Sequence, residues 1–157
     1  MKITIIGAGN IGSAVAACLA KRHLYNEKDI IISPPHTDKP ENLHKQFPEI
    51  RIMTENQYAI SEADIIILAV KPCIVDEVLS PLRFSRTQIL VSLVTGISIS
   101  HLAHLSETEM PIFRVVPNIA ITEHSSLTLI TSRKAGKEHQ QLIKQTFEEG
   151  GCLLYTS

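Results

Sequence analysis

Three glycines follow the first short apolar segment of the chain, at Gly7, Gly9 and Gly12. Residues 3–6 before them have strand character, and residues 11–22 after them have the spacing of an amphipathic helix. In such a turn the first glycine permits a tight bend, the second lets a pyrophosphate reach the backbone, and the third lets the helix pack on the strand. The helix N-terminus also favours an anion. The pattern predicts a dinucleotide phosphate site; a glycine-rich turn without a ligand is the alternative.

The end of the predicted second strand bears on which dinucleotide would bind there. NAD sites usually place an Asp or Glu at this point, where it accepts a hydrogen bond from the ribose 2′-hydroxyl. This strand ends in Ser33, and no carboxylate appears until Asp38. Ser33, His36, Thr37 and Lys39 could hold a 2′-phosphate that an acid would repel. The turn therefore favours NADP over NAD; an ordinary proline-rich turn capped by Asp38 is the alternative.

Alternating strands and helices are needed to position these residues. Apolar runs of strand length occur at residues 3–6, 29–33, 50–53, 64–70, 88–93 and 111–115. Helical patterns lie between them, at residues 11–22, 41–47, from a proposed N-cap at Thr54 with Gln57 three residues later, 72–82 and 98–105. Pro72 suits a first helical turn, and Ser98 or Ser100 can cap the last of these helices. Alternation with nearly continuous apolar strands predicts a doubly wound, mostly parallel α/β sheet of the Rossmann type.

The pattern changes after Pro117. Residues 126–131 are β-branched and alternating, residues 135–149 form a polar amphipathic helix, and residues 152–155 form a last short strand. We therefore expect one nucleotide-binding domain over residues 1–151. Residues 152–157 are then either the end of the last strand or a non-native tail.

Composition excludes several classes of protein. The chain has 157 residues with 15 Lys and Arg against 16 Asp and Glu, a balance that predicts no nucleic-acid partner. Its apolar runs are far shorter than the ~20 residues of a membrane helix. The three cysteines are widely spaced, which predicts a reducing cytoplasm rather than a disulfide framework. His101 and His104 have a helical spacing that could ligate metal, but without a third ligand we expect no metal site.

Four motifs in order resemble those of the pyrroline-5-carboxylate reductase family. They are residues 9–12, GNIG; residues 69–72, AVKP; residues 91–97 around the fifth strand; and residues 114–118, RVVPN. The resemblance extends over nearly the whole chain. The family's usual forms are GNMG, AVKP, a small-residue turn ending in AG, and R-x-MPN.

The sequence departs from these forms at three positions. Ile11 and Val116 replace methionines, which preserves volume and apolar character. Thr95 replaces an alanine and adds a hydroxyl near the expected nicotinamide side.

The resemblance implies a role for each matching residue. The pyrophosphate would be carried by Gly7, Gly9, Asn10, Ile11 and Gly12. The adenosine ribose corner would be formed by Ser33, His36, Thr37 and Asn56. The path to the nicotinamide and the inner mouth of the site would be lined by Ala69, Val70, Lys71, Pro72, Pro117 and Asn118.

Several of these positions have purely structural alternatives. Lys71 precedes a proline and can be a solvated loop residue, and Asn56 can simply begin a helix. Pro117 and Asn118 can form a plain turn.

The family resemblance also implies an activity, the NAD(P)H-dependent reduction of 1-pyrroline-5-carboxylate in proline biosynthesis. The family places the substrate loop, the proton donor and the homodimer or higher-oligomer contacts in a following helical domain. Because no such domain is found in this sequence, we expect a truncated chain that binds cofactor, carries no catalytic residue and is inactive alone. The alternatives are another NADP-dependent oxidoreductase, such as a deazaflavin-dependent one, and a non-catalytic nucleotide-binding module.

Overall fold

A computed structural model of the chain describes residues 1–7, 9–21, 25–34, 41–118, 126–149 and 153–156. The strands in chain order are β1 Ile3–Ile6, β2 Ile30–Ser33, β3 Arg51–Ile52, β4 Ile65–Leu68, β5 Ile89–Ser92, β6 Ile112–Asn118, β7 Ser126–Arg133 and β8 Leu153–Thr156. The helices are α1 Asn10–Lys21, α2 Glu41–Gln46, α3 Asn56–Ser61, α4 Val75–Leu79, α5 Ile99–Ser106 and α6 Lys137–Glu149. Short 3-10 turns occur at Glu27–Asp29 and Pro72–Ile74. No described helix has the length and apolar character needed to cross a membrane.

The strands form one sheet in the order β3-β2-β1-β4-β5-β6-β7-β8. The first six strands run parallel, β7 pairs antiparallel with β6, and β8 runs parallel to β7. The chain first adds strands on one side of β1 and then crosses to place β4 on its other side. Doubly wound sheets bind ligands at the carboxyl ends of the strands beside such a reversal.

Each face of the sheet has its own apolar core. Ile3 and Ile5 of β1 pack on the face covered by α1 and α6, together with Leu19 and Phe147. Ile6 faces the other side, which is covered by α3, α4 and α5. Because both faces are covered, the central strands are apolar at nearly every position, as the sequence predicted.

The predicted fold class is confirmed, and three local predictions are corrected. Helix α3 has Glu55 rather than Thr54 at its N-cap, and no side chain caps it. Helix α4 ends at Leu79, three residues before the predicted Leu82. Strand β6 continues beyond the predicted residue 115 to Asn118.

Strand β6 continues because β7 pairs with it. Pro117 lies opposite Leu127 and Asn118 opposite Ser126. The pairing with β5 ends at Arg114, so in the described part of the chain no strand pairs with the end of β6 on that side. An open edge tolerates proline, which lacks an N–H group.

Helix α3 is held to the sheet by a buried glutamine. The side-chain nitrogen of Gln88 donates to the carbonyl oxygens of Ile60 at 2.7 Å and Ala63 at 2.9 Å. Its side-chain oxygen accepts from the N–H of Ser85 at 2.9 Å. One side chain thereby bonds three backbone groups, two at the end of α3 and one in the loop before β5.

We expect Gln88→Leu to lower the free energy of unfolding by about 1–3 kcal/mol, because it removes two buried hydrogen bonds, and of the two carbonyls only that of Ile60 keeps another donor, the N–H of Ala63. Gln57→Leu is the matched control: Gln57 bonds the backbone of Arg83 at the exposed surface, where water can replace it. Urea unfolding of both variants measures the difference. An equal loss in the two would contradict the role given to Gln88.

Alkaline pH should destabilise the fold through Tyr25. Burial raises the pKa of the Tyr25 phenol above 10.0, partly offset by its hydrogen bond with Thr146. The unfolded chain therefore releases this proton first as the pH rises. The contribution of Tyr25 is complete below about pH 10 and is lost as the pH rises toward the folded-state pKa.

We expect the denaturation midpoint of the native chain to fall above about pH 10, and Tyr25→Phe to fall less steeply. Tyr58→Phe is the control, because Tyr58 is 68% exposed. Chemical unfolding at several pH values gives the denaturation midpoint against pH for the native chain and the two variants. Parallel curves for the native chain and Tyr25→Phe would rule out this source of alkaline sensitivity.

Candidate functional site

Gly7 stands where three strands of the sheet end together. Its φ is 115°, a conformation that side chains rarely adopt. A Cβ built there would lie 2.4 Å from the carbonyl oxygen of Ala69, just after β4. The Gly7 N–H donates to the carbonyl of Ser33 at 2.8 Å. Only glycine fits this junction of β1, β2 and β4.

Gly12 closes the turn from the helix side. A Cβ built on Gly12 would lie 2.3 Å from the carbonyl oxygen of Gly7 and 3.5 Å from the side chain of Ala69. Helix α1 therefore approaches the turn more closely than any side chain would allow. This is the helix–strand contact that the glycine spacing predicted.

Gly9 is different, because a Cβ there would meet no protein atom within 4 Å. Its carbonyl accepts the first helical hydrogen bond, from Ser13 at 3.0 Å, so Gly9 occupies the N-cap of α1. The first helical turn leaves N–H groups without carbonyl partners inside the helix, here those of Asn10, Ile11 and Gly12. That turn contains no Asp or Glu. The open space beside Gly9 can therefore accommodate an anion such as a diphosphate. The N–H groups of the first turn of α1 and the positive end of its helix dipole would stabilise that anion.

The second corner of the site lies at the end of β2. Ser33 is fully buried, and its hydroxyl donates a hydrogen bond to the side-chain oxygen of Asn56. Asn56 is half-buried as the first residue of α3. The structure thus joins two residues that the sequence assigned separately to the adenosine end.

A cleft of about 360 Å³ adjoins this corner. Pro34 and Asn56 line one part of it, and the 3-10 turn and α4 line the other. Three of its apolar residues were not indicated by the sequence motifs: Ile74, Val78 and Leu82. Their spacing of four residues within the predicted helix 72–82 was the available signal, although only Val78 lies in α4 itself.

The segment after β4 reaches the same edge of the sheet. Ala69 is half-buried and its N–H donates to the carbonyl of Ile6 at 2.8 Å, while Val70 is buried. Lys71 is exposed, and Pro72 begins the 3-10 turn, as its position predicted. Thr95 is also exposed, in the loop that follows β5.

Some predicted site residues lie wholly or partly outside the described part of the chain. His36 and Thr37 lie outside the described residues. For Asn10, Pro117 and Asn118 the structure describes the backbone but not the side chain. Pro117 and Asn118 lie in β6 rather than in a turn, which corrects the structural alternative for these two residues.

One of the two helical histidines, His101, connects two helices. His101 Nε2 lies 2.7 Å from a carboxylate oxygen of Asp76, which joins α5 to α4 at the surface. Within the described ranges, no group of three or more His, Cys, Asp or Glu side chains could hold a metal ion.

This chain is similar in sequence to a known family and to known reductases. Residues 2–96 match the protein family described as NADP oxidoreductase, coenzyme F420-dependent. The pyrroline-5-carboxylate reductase of Escherichia coli (strain K12) is 33% identical over 132 residues, which are 83% of this chain and 49% of that protein. The chain thus spans about half the length of this relative.

Solved structures agree with these sequence matches. The 1-pyrroline-5-carboxylate reductase of Streptococcus pyogenes has a TM-score of 0.81 at 30% identity, covering 100% of this chain and 57% of that one. The Plasmodium falciparum pyrroline carboxylate reductase, solved with NADP bound, has a TM-score of 0.83 at 22% identity and also covers 100% and 57%. The second likeness shows a shared fold.

We expect Gly12→Ala to destabilise the chain by about 1–2 kcal/mol. Forcing a methyl against the Gly7 carbonyl costs ~1–3 kcal/mol, more than the gain of up to about 1 kcal/mol in helix propensity. Gly9→Asp is the matched control and should leave stability unchanged or raise it, because Asp is a good N-cap. Urea unfolding of both variants and of the native chain measures these differences in the free energy of unfolding. A neutral Gly12→Ala would show that the turn can open.

Proposed function

Because this chain belongs to the family described as NADP oxidoreductase, coenzyme F420-dependent, and is a pyrroline-5-carboxylate reductase family protein, we propose that it is the cofactor-binding part of an NAD(P)H-dependent reductase. The observation that carries the proposal is the open space beside Gly9. This space lies at the start of α1, in a turn where neither Gly7 nor Gly12 has room for a side chain.

The proposed cofactor site follows the edge of the sheet. The N–H groups of the first turn of α1, next to Gly9, would donate to the pyrophosphate. Ser33 and Asn56 would form the adenosine ribose corner, and His36 and Thr37 belong to the same proposal. The cofactor-binding residues proposed are Gly7, Gly9, Asn10, Ile11, Gly12, Ser33, His36, Thr37, Asn56, Ala69, Val70, Lys71, Pro72, Pro117 and Asn118.

We propose NADP rather than NAD as the preferred cofactor. Ser33 stands at the end of β2, where NAD sites usually carry a carboxylate. The side-chain oxygen of Asn56 is occupied by Ser33, which leaves its amide nitrogen as a hydrogen-bond donor. Because β2 carries no carboxylate that would repel a 2′-phosphate, such a phosphate could accept a hydrogen bond from the Asn56 nitrogen.

The reaction proposed for the whole protein is reduction of the imine 1-pyrroline-5-carboxylate to proline, in the cytoplasm. When bound, the reduced nicotinamide supplies the hydride for this step. The residues of this chain bind and orient the cofactor at the carboxyl ends of β1 and β4. Substrate binding and proton donation are assigned by family resemblance to a following helical domain, which would also form the homodimer or higher oligomer.

A second candidate function is favoured by the family match itself. The matching description names a coenzyme F420-dependent NADP oxidoreductase. Residues 2–96 of this chain, which match it, include the glycine turn and Ser33 at the end of β2. In that case NADP would exchange hydride with a deazaflavin rather than with an imine. The cofactor site would be the same, and only the second substrate distinguishes the two candidates.

Cofactor titration and turnover assays test these proposals on the purified 157-residue chain. We expect NADPH to bind at least about tenfold more tightly than NADH, and neither 1-pyrroline-5-carboxylate nor a reduced deazaflavin to be turned over at an enzymatic rate. A chain that also carries a helical substrate domain should reduce the imine. Absence of binding of both nucleotides, or a preference for NADH, would contradict the cofactor proposal; deazaflavin turnover by such a two-domain chain would favour the second candidate.

The variant Gly9→Asp tests whether the diphosphate of the cofactor binds beside Gly9. Its side chain would fill the open space, and its charge would repel the diphosphate, while the fold is retained. We expect a loss of NADPH affinity of at least about a hundredfold. Unchanged affinity would show that the nucleotide binds elsewhere.

A further inference from the structure

Two residues of the family-like motifs, Ser92 and Arg114, lie side by side in the sheet, and neither is among the residues proposed to bind the cofactor. Ser92 is the last residue of β5, and Arg114 lies opposite it on the neighbouring strand β6. Leu68, the last residue of β4, lies opposite Ser92 on its other side. Arg114 is therefore level with the ends of β4 and β5, although β6 itself continues to Asn118.

Arg114 is half-buried and has a buried N–H group without a partner. Its Nε atom is enclosed, yet within the described ranges it meets no acceptor at hydrogen-bond distance. None of the ion pairs found among the described residues includes Arg114. An arginine side chain keeps its charge in proteins, and a partly buried charge is rarely left without a counter-ion. An acceptor that is not among these residues is therefore needed.

Ser92 supplies a second unused donor beside the first. It has none of its surface exposed, and its hydroxyl oxygen accepts from the Val94 N–H at 3.2 Å. In the part of the chain that the structure describes, no acceptor takes the proton of this hydroxyl. Since Ser92 and Arg114 are paired in register on adjacent parallel strands, their side chains project from the same face of the sheet. One small acceptor between them can therefore bond both donors.

These donors lie on the side of the sheet toward which the nicotinamide would extend. The proposed adenosine corner, Ser33 and Asn56, lies beside β2, on one side of the point where the strand order reverses. A dinucleotide that crosses this point extends over the ends of β4 and β5. A molecule that exchanges hydride with it would then lie next to β5 and β6. The pairing of β6 with β7 also shifts register directly after Arg114, an irregularity of the kind that re-aims side chains beside functional sites.

We propose that Ser92 and Arg114 form a subsite for one carboxylate, that of the molecule reduced at the nicotinamide. A guanidinium presents its N–H donors in a planar arrangement that matches the two oxygens of a carboxylate. The imine of the proposed reaction carries one carboxylate, so the pair would select it over an uncharged imine. This subsite rests on the proposed function and extends it from the cofactor to the second substrate. It adds a contact from this chain to those that the family resemblance assigns to a helical domain.

A binding group that waits for its ligand should cost stability while the ligand is absent, because an unpaired charge opposes folding. We expect Arg114→Met, which keeps an unbranched side chain but removes the charge, to leave the urea midpoint of the ligand-free chain unchanged or to raise it. Arg86→Met is the matched control, because Arg86 is exposed in the loop before β5. A fall in the midpoint for Arg114→Met and not for Arg86→Met would show that the guanidinium is already paired, and would overturn the proposal.

The NMR signal of the Arg114 Nε–H in the isotope-labelled native chain tests the subsite directly. The probes are acetate, proline, pyrrolidine and chloride, added at constant ionic strength with NADP present. We expect acetate and proline to shift this signal saturably, because both carry a carboxylate. Pyrrolidine, which has the ring of proline without the carboxylate, should leave it unchanged, and so should chloride. No saturable shift with either carboxylate would overturn the proposal, and so would an equal response to chloride, which indicates an adventitious ion only.

Two further variants separate the contributions of the two donors. Arg114→Lys keeps the charge but lacks the Nε–H, and Ser92→Ala removes only the hydroxyl. Followed by the backbone N–H signals of β5 and β6, the affinity for proline should fall at least about tenfold in Arg114→Lys and about threefold in Ser92→Ala. NADPH affinity should change less than about twofold in both. Unchanged proline affinity, or an equal loss of NADPH affinity, would overturn the subsite, whereas a native chain that binds no NADPH would overturn the proposed function first.

Discussion

The close approach of backbone segments at the first strand-to-helix crossover is the constraint on which the rest of the structure depends. Gly7 lies so near the Ala69 carbonyl, and Gly12 so near the Gly7 carbonyl, that neither position has room for a Cβ. This packing draws the ends of β1 and β4 and the start of α1 together. Of the three glycines in this turn, Gly9 is the one beside which space remains open, where the first helix amides have no carbonyl partners inside the helix.

The second corner of the site is set by buried polar bonds rather than by close packing. Ser33 joins Gly7 to Asn56, while Thr4 and Gln88 attach α3 to neighbouring strands. Buried polar groups of this kind stabilise only when each has its partner. The hydrogen bonds that hold the fold at α3 therefore also hold the candidate ribose contact in place.

The comparisons and the geometry concern the same part of the chain. The family match over residues 2–96 includes the glycine turn, Ser33 and Asn56. The chain spans 57% of the Streptococcus pyogenes enzyme, and the candidate site lies within the shared part. One fold hosts many activities, so the reaction has to be argued from the residues around the bound substrate.

Local sequence signals predicted much of this protein. The glycine spacing, the apolar runs of β1 and β4, Pro72 in a first turn and the Ser98 cap of α5 are all found in the structure. Each depends on residues close together in the chain, through backbone freedom, periodicity or a hydrogen bond within one turn. The doubly wound sheet followed from their alternation.

The tertiary structure decided what depends on distant residues. Pro117 lies in a strand because β7 pairs beside it, and α3 begins at Asn56 rather than directly after Thr54. Ser33 and Asn56 are 23 residues apart, and their bond exists because the crossover from β2 through α2 to β3 brings the start of α3 to the end of β2. Side-chain spacing along the chain carries no record of such pairings, since they form only when the sheet closes the distance between them.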